Sequence, residues 1–344
     1  MNYSIISQEN TSVRTREKDP ACNNLDTLAQ VPQGAPTKGC SEANLRKKAK
    51  SKYHTRGFVS HLLRVDSPLK KQYWRAYDCA ENVRVENGKT RTHYCNSRAC
   101  NTCNRIRTAN AIDGYRPHFE NCLSSMITLT DNTKNTKTIE EGKRGARKRV
   151  KDWYNIRKLL IRQGIPADGL SKLEATYTEA DHYYNVHLHI ILKVEGYNRH
   201  QLDELCEFII REWLKRNPRA KRVGQHFQAT TETDKSLREL LKYTTKQGKK
   251  EEKNAKKYEV DPVGLDGCLQ ILHGRRTLMP FGKIRKVTEE VEELELVSEP
   301  VQKEDGLYVW NVHDWYHIDT GEALSGYEDP RISFELIESQ RLII

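Results

Sequence analysis

The sequence predicts an α+β protein in which short strands alternate with amphipathic helices and two strands form an antiparallel hairpin. Three observations carry this. Ser125-Met-Ile-Thr-Leu-Thr130 is a β-branched run bounded by the polar stretch 131–138, the mark of a strand. Over 139–163, Ala146, Val150, Trp153 and Leu160 fall on one helical stripe, with Lys and Arg filling much of the rest. Residues 172–178 and 184–194 read as strands joined by the turn-like Glu179-Ala-Asp-His182.

The other elements follow in order. Residues 1–45 are rich in Ser, Thr, Asn, Gln, Pro and Gly without periodicity and read as a disordered segment. Arg46 to Arg75 is basic with Tyr53, Phe58, Tyr73 and Trp74 interleaved and reads as helical. Residues 199–216 form a second amphipathic helix on Leu202, Leu205, Ile209 and Trp213, stopped by Pro218. Residues 223–230 read as a strand, with Val223, Phe227 and Ala229 on one face. Residues 234–247 read as a third helix with Asp234 as its cap, and 248–257 as a lysine-rich linker. Val309 to Tyr316 is β-branched and aromatic, so 287–344 reads as an acidic tail with a small β-rich unit.

A chain of 344 residues makes two domains, or one with appendages. Its apolar fraction of 36% and mean hydropathy of −0.82 are on the polar side. No run approaches the roughly 18 apolar residues of a membrane span. Residues 1–20 lack the apolar region of a secretion signal. Membrane and secreted classes are therefore not expected.

The formal charge of +11 is unevenly spread. After Lys286 there are fifteen acidic and three basic side chains, a tail of −12, which leaves +23 on residues 1–286. Such asymmetry, with clustered Lys and Arg, points to a nucleic-acid partner rather than a merely solvated surface. The acidic run from Glu289 to Glu299 reads as a solvated linker ahead of DNA mimicry or a partner site.

Four of the nine cysteines are spaced Cys79-x15-Cys95-x4-Cys100-x2-Cys103. Short C-x4-C and C-x2-C turns bring thiolates to one Zn²⁺ ion. A C-x4-C-x2-C triple arises by chance in about one chain in a hundred at this cysteine frequency. An odd cysteine count without a secretion signal argues for a reducing cytoplasm and against a disulfide framework. His93 and Cys122 are the alternatives to Cys79 as fourth ligand. Four protein ligands close a site, so the expected role is structural. Arg98, Arg105 and Arg107 around the cluster are candidates to face phosphate.

His187 and His189 lie two apart in an alternating strand, so both imidazoles share one face while Val186, Leu188, Ile190 and Leu192 pack on the other. With 12 histidines a His-x-His pair arises by chance roughly 0.4 times, so its strand context gives it weight. Glu174, on the preceding strand, has the right parity to add a carboxylate; His182 is the substitute. Two imidazoles and a carboxylate suit Mg²⁺ or Mn²⁺ holding a phosphate, with Zn²⁺ the alternative. On the third helix Leu237, Leu240, Leu241 and Thr244 make a buried stripe, and Glu239, Tyr243 and Lys246 share another face. A tyrosine hydroxyl titrates near 10, so as a nucleophile it needs a nearby cation or metal.

In this order, Met126-Ile-Thr-Leu-Thr130, Asn185-Val-His-Leu-His-Ile-Ile-Leu192 and Glu239-Leu-Leu-Lys-Tyr-Thr-Thr-Lys246 resemble the three motifs of plasmid rolling-circle replication initiators of the HUH endonuclease superfamily. Cys95-Asn-Ser-Arg-Ala-Cys-Asn-Thr-Cys103 resembles the zinc-like segment before motif one in one branch, and Gly274-Arg-Arg-Thr-Leu-Met-Pro-Phe-Gly282 an element after motif three. The resemblance spans roughly residues 77–286.

The resemblance implies an antiparallel sheet with helices on one face, in an RRM-like nuclease domain at 122–286 after a basic, cysteine-rich region at 46–121. It implies that His187, His189 and Glu174 hold a catalytic Mg²⁺ or Mn²⁺, with Zn²⁺ structural at the cysteines. Tyr243 would attack the scissile phosphate, leaving a 5′-phosphotyrosine and a free 3′-hydroxyl. Lys246 would position the phosphate. No second tyrosine lies one turn away, and in the branch with Glu at the Glu239 position that residue activates water for termination. Arg275 and Arg276 join the candidate DNA contacts. The implied partners are plasmid origin DNA, single- and double-stranded, a host replicative helicase and a second copy of the chain, in the bacterial cytoplasm. The alternatives are an HUH transposase or mobilisation relaxase, and a non-catalytic zinc-containing nucleic-acid binder.

Overall fold

The computed structural model describes residues 38–131, 136–179, 181–230, 233–241, 261–287 and 294–328. In chain order the helices and strands begin with α1 (Lys38–Leu63), α2 (Lys70–Tyr77), β1 (Asn82–Glu86), β2 (Lys89–Thr92) and α3 (Asn101–Tyr115). There follow β3 (Ser125–Leu129), α4 (Ile139–Arg162), β4 (Asp168–Thr178), β5 (Tyr183–Lys193), α5 (Arg199–Arg216), β6 (His226–Ala229) and α6 (Thr233–Leu241). Last come α7 (Pro262–Leu272), β7 (Leu278–Phe281), β8 (Leu294–Glu295), β9 (Gly306–Asn311) and β10 (Asp314–His317). The fold is α+β, and every strand pairing is antiparallel. No described helix is long and apolar enough to cross a membrane.

One five-stranded sheet has the order β6-β3-β5-β4-β7. Its central strand β5 turns Val186, Leu188, Ile190 and Leu192 to one face, all fully buried. Trp153 and Ile156 of α4, Ile209 and Trp213 of α5 and Ile271 of α7 complete that core. Burial of each such side chain stabilises by about 1.5–3 kcal/mol. The helix starts are encoded locally. Thr138 and Glu141 cap each other's backbone N–H at α4, and Asn198 and Gln201 do so at α5.

The expectation of helices on one face is corrected here. Met126, Leu170 and Ile191 point to the other face, where Ile112 and Tyr115 of α3 and Leu237 and Leu240 of α6 cover them. The run Ile190-Ile-Leu192 makes β5 apolar on both faces at this end, and an uncovered apolar face costs stability.

The second sheet has the order β10-β9-β1-β2-β8. The β1–β2 hairpin turns on Asn87 and Gly88 at φ 51° and 74°, the two-residue turn that Asn-Gly favours. β9 pairs with β1 from Asn82↔Val309 to Val85↔Gly306. Tyr308, Trp310 and Trp315 pack with Val83, Val85 and with Leu45 and Ala49 of α1. The described part of the tail thus shares a sheet and a core with the segments before the first sheet. Leu45, 1% exposed within α1, also corrects the disordered reading for 38–45; residues 1–37 lie outside the described residues.

Smaller differences concern element ends. Residues 222–224 form a 3₁₀ turn with Val223 90% exposed, and β6 starts only at His226. The Gln225 side chain bridges to Thr130, accepting from its N–H at 2.8 Å, and so anchors the turn before β6. α6 begins at Thr233, so Asp234 lies inside its first turn. Residues 242–260, including Tyr243, Thr244, Lys246 and the lysine-rich linker, lie outside the described residues.

Candidate functional site

The four cysteines converge from three places. Cys79 follows α2, Cys95 follows β2, and Cys100 and Cys103 begin α3, whose N-cap is Cys100. All four are buried, and their sulfurs lie within 4.8 Å of one another. Cys79 Sγ and Cys95 Sγ lie 3.5 and 3.6 Å from Cys103 Sγ. These spacings far exceed a disulfide bond and approach the edge of about 3.8 Å of a tetrahedron with 2.3 Å metal–sulfur bonds. Backbone N–H groups point at the sulfurs: Cys95 to Cys79 at 3.4 Å, Ser97 to Cys95 at 3.3 Å and Cys103 to Cys100 at 3.5 Å. Such donors favour thiolate. Burial resists ionisation of Cys100, but hydrogen bonds from Cys103, Cys79 and Cys95 outweigh it and hold this thiol well below its ordinary value. Hydrogen bonding to Cys100, Cys103 and Cys95, reinforced by burial, pushes Cys79 up. One proton-poor sulfur among crowded thiols is the donor set that a thiophilic ion such as Zn²⁺ fits. Cys79 supplies the fourth donor, while His93 is exposed and Cys122 packs beneath α3 and α6.

The second cluster sits on the first sheet. Register pairs Glu174 with His187 and Lys172 with His189 on neighbouring strands β4 and β5. One carboxylate oxygen, Glu174 Oε2, lies 3.2 Å from His187 Nε2 and 3.0 Å from His189 Nε2. Behind the rings, His187 Nδ1 faces the Asn185 carbonyl oxygen at 3.3 Å and His189 Nδ1 the Thr128 hydroxyl at 3.0 Å. These outer partners set each ring so that Nε2 points inward. With Glu174 Oε2 3.0–3.2 Å from both Nε2 atoms, the three residues offer one donor each within reach of a single metal ion. Burial resists ionisation of Glu174, but hydrogen bonds from His187 and His189 and the Lys172 charge outweigh it and hold the carboxyl well below its usual range. The cluster opens to solvent through His189, whose side chain is 20% exposed against 7% for Glu174. His182 takes no part; it sits in the exposed turn, with Tyr177 Oη 2.9 Å from its Nδ1.

Sequence reasoning missed Lys172 and Thr128. Lys172 is buried two residues before Glu174 on the same face, so strand parity alone would have found it. Thr128 faces His189 only because β3 pairs with β5, which parity does not reveal.

Helix α6 lies on this same face, where Leu237 and Leu240 pack with Met126, Leu170 and Ile191. Glu239 is exposed on α6, while Tyr243 and Lys246 fall beyond its described end. Of the candidate arginines, Arg105 and Arg276 are exposed. The other three are engaged within the fold. Arg98 donates to the Leu272 and Arg275 carbonyl oxygens at 3.0 and 2.6 Å, closing the end of α7. Arg275 donates to the Ile271 and Lys143 carbonyl oxygens, and Arg107 to Asn96 and Asn104. Unpaired helix-end carbonyls need such partners. Compared with known proteins, the chain matches no family model, no curated protein and no solved structure.

Proposed function

We propose that the chain is a metal-dependent single-strand DNA nickase and strand transferase of the HUH type that initiates plasmid rolling-circle replication. The observation that carries this is the Glu174–His187–His189 cluster on the sheet face that α6 also covers, with Tyr243 following two residues after Leu241 in the sequence. The five-stranded antiparallel sheet with its His-x-His strand at the centre supports the RRM-like arrangement of that class.

Glu174, His187 and His189 would hold Mg²⁺ or Mn²⁺, which when bound supplies Lewis-acid polarisation of a phosphate oxygen. Glu174 and Lys172 cancel in charge, so a divalent ion leaves the site positive and suited to an anionic phosphodiester. Thr128 and the Asn185 carbonyl keep the imidazoles aimed inward. The Tyr243 oxygen forms a bond to phosphorus while the bond from phosphorus to the 3′ oxygen breaks. The phenol proton is lost and the departing 3′ oxygen gains one. The phosphotyrosine ester conserves the bond, so a later 3′-hydroxyl can reverse the exchange and rejoin the strand. Lys246 positions the phosphate, and Glu239 activates the water that ends the cycle. A structural Zn²⁺ at Cys79, Cys95, Cys100 and Cys103 completes the reading.

Incubation with labelled single-stranded origin DNA and Mg²⁺ or Mn²⁺ tests this. The expected result is a covalent adduct that maps to Tyr243 and is absent in Tyr243→Phe and His189→Ala. No adduct across plasmid origins and both metals would instead leave a zinc-containing nucleic-acid binder, a reading favoured by the cysteine cluster and the +23 charge.

A further inference from the structure

Four of the five tryptophans are core residues: Trp153, Trp213, Trp310 and Trp315 are at most 4% exposed. Trp74 is 50% exposed on α2. The other side of that helix is firmly seated. Tyr73 and Ala76 are buried, and Tyr73 and Ser67 both donate to the buried carboxylate of Asp266 on α7. Arg75 donates to the Cys95 carbonyl oxygen at 3.2 Å, tying α2 to the cysteine cluster. The outward position of Trp74 is therefore imposed by a rigid support, since rotating it inward would expel Tyr73.

Its surroundings are aromatic and cationic. The Tyr77 ring stands edge-on to Trp74, with centroids 5.8 Å apart at 75°. The Arg56 guanidinium lies 4.1 Å from the Tyr77 ring centroid. Lys70, Lys71 and Arg75 are exposed on the same short helix. Nearby acidic groups do not cancel this charge. Glu81 is engaged by Lys52 and Arg56, Asp66 precedes α2, and Asp78, the C-cap residue beside Tyr77, is one carboxylate against Lys70, Lys71 and Arg75.

A protein-docking surface is built on a contiguous apolar patch from which charge is depleted. Here one indole and one phenol are ringed by cations, which is the composition that binds unpaired bases by their faces and their phosphates by charge. In a duplex the base faces are already stacked, so the platform selects the single strand. We infer that Trp74, Tyr77 and Arg56 form a stacking platform for bases of single-stranded DNA, with Lys70 and Lys71 on the flanking phosphates. The platform is separate from the nicking cluster, and its occupancy requires no catalysis.

Because Trp74 is the exposed indole, its emission reports occupancy directly. Full-length protein in the Tyr243→Phe background, where nicking is not at issue, is titrated with a 20-nucleotide oligothymidylate while tryptophan emission is followed. The expected result is saturable quenching of the solvent-exposed component, with much less quenching by a duplex of equal length. Trp74→Leu removes that component and weakens oligonucleotide binding, measured by anisotropy, by about 5- to 150-fold, the range of one base–aromatic stack. Trp74→Phe retains part of the binding, which separates lost stacking from lost structure. Unchanged affinity in Trp74→Leu, oligonucleotide binding without quenching, or equal quenching by duplex would overturn the inference. Failure of the nicking reading would show as a missing Tyr243 adduct and would leave this quenching signal intact.

Discussion

The Thr108 hydroxyl donates to the Leu241 carbonyl oxygen at 3.3 Å, joining the middle of α3 to the last described turn of α6. α3 begins at Cys100 and Cys103, and further along it presses Ile112 and Tyr115 against Leu237 and Leu240. A single helix therefore connects the thiol cluster with the helix that leads to Tyr243.

Metal at the cysteines should consequently hold α6 in place. Chelation is expected to raise amide hydrogen exchange in 233–241 as well as around Cys95 to Cys103, and re-addition of Zn²⁺ to reverse it. Thr108→Val should cost about 0.5–1.5 kcal/mol and raise exchange in α6 alone. Unchanged exchange in α6 on metal removal would break the link. Elemental analysis should give one Zn²⁺ per chain, lost in Cys79→Ser and retained in Cys122→Ser.

The histidine cluster makes a two-signed prediction. His187→Ala and Glu174→Gln should abolish Mn²⁺ binding measured by calorimetry, and with it the covalent adduct. Thr128→Val, which removes an outer partner of His189, should lower Mn²⁺ affinity about 10–100-fold. Lys172→Gln should leave Mn²⁺ affinity equal or higher, because it removes a nearby positive charge, yet slow adduct formation about tenfold or more. Parallel loss of metal and adduct in Lys172→Gln would assign that lysine to metal-site structure alone.

Glu239 and Tyr243 should separate the start of a replication cycle from its end. Tyr243→Phe should remove the initial nick. Glu239→Ala should nick at near the normal rate but accumulate multimeric strands longer than the plasmid unit on gels. If Glu239→Ala abolished the first nick, its assigned role would be wrong.

The tail is expected to be indispensable to the cysteine-rich half. Trp315 is fully buried and donates from its indole N–H to the Ala80 carbonyl oxygen at 2.7 Å, one residue after Cys79. Trp315→Ala should cost about 3–5 kcal/mol, seen as a lower melting temperature. It should also release Zn²⁺ at milder chelator concentrations. A variant truncated after residue 293 that kept its metal and its stability would show the tail to be dispensable.

Much of the local structure was legible before any coordinates. Strand parity alone placed Glu174, His187 and His189 on one face, and the helical stripe placed Trp153 and Leu160 inside. Those readings rest on periods of 2 and 3.6 residues, which neighbouring residues set among themselves. The Asn87-Gly88 turn is equally local, an Asn-Gly pair between two short strands. The carbonyl partners of Arg98, Arg107 and Arg275 are not legible in the sequence, because a cation there looks the same whether it meets phosphate or a carbonyl.

By itself the sequence determined which segments become strands and helices, which residues share a face, and that four cysteines and a His-x-His pair stand ready for metal. Only the tertiary structure decided that Cys79 is the fourth thiol, that α3 and α6 close the second face of the sheet, and that β9 joins β1. The physical reason is range. Periodicity is written in adjacent residues, whereas the choice of partner depends on which distant apolar surfaces bury one another best, as Trp310 and Trp315 do against Leu45 and Val83.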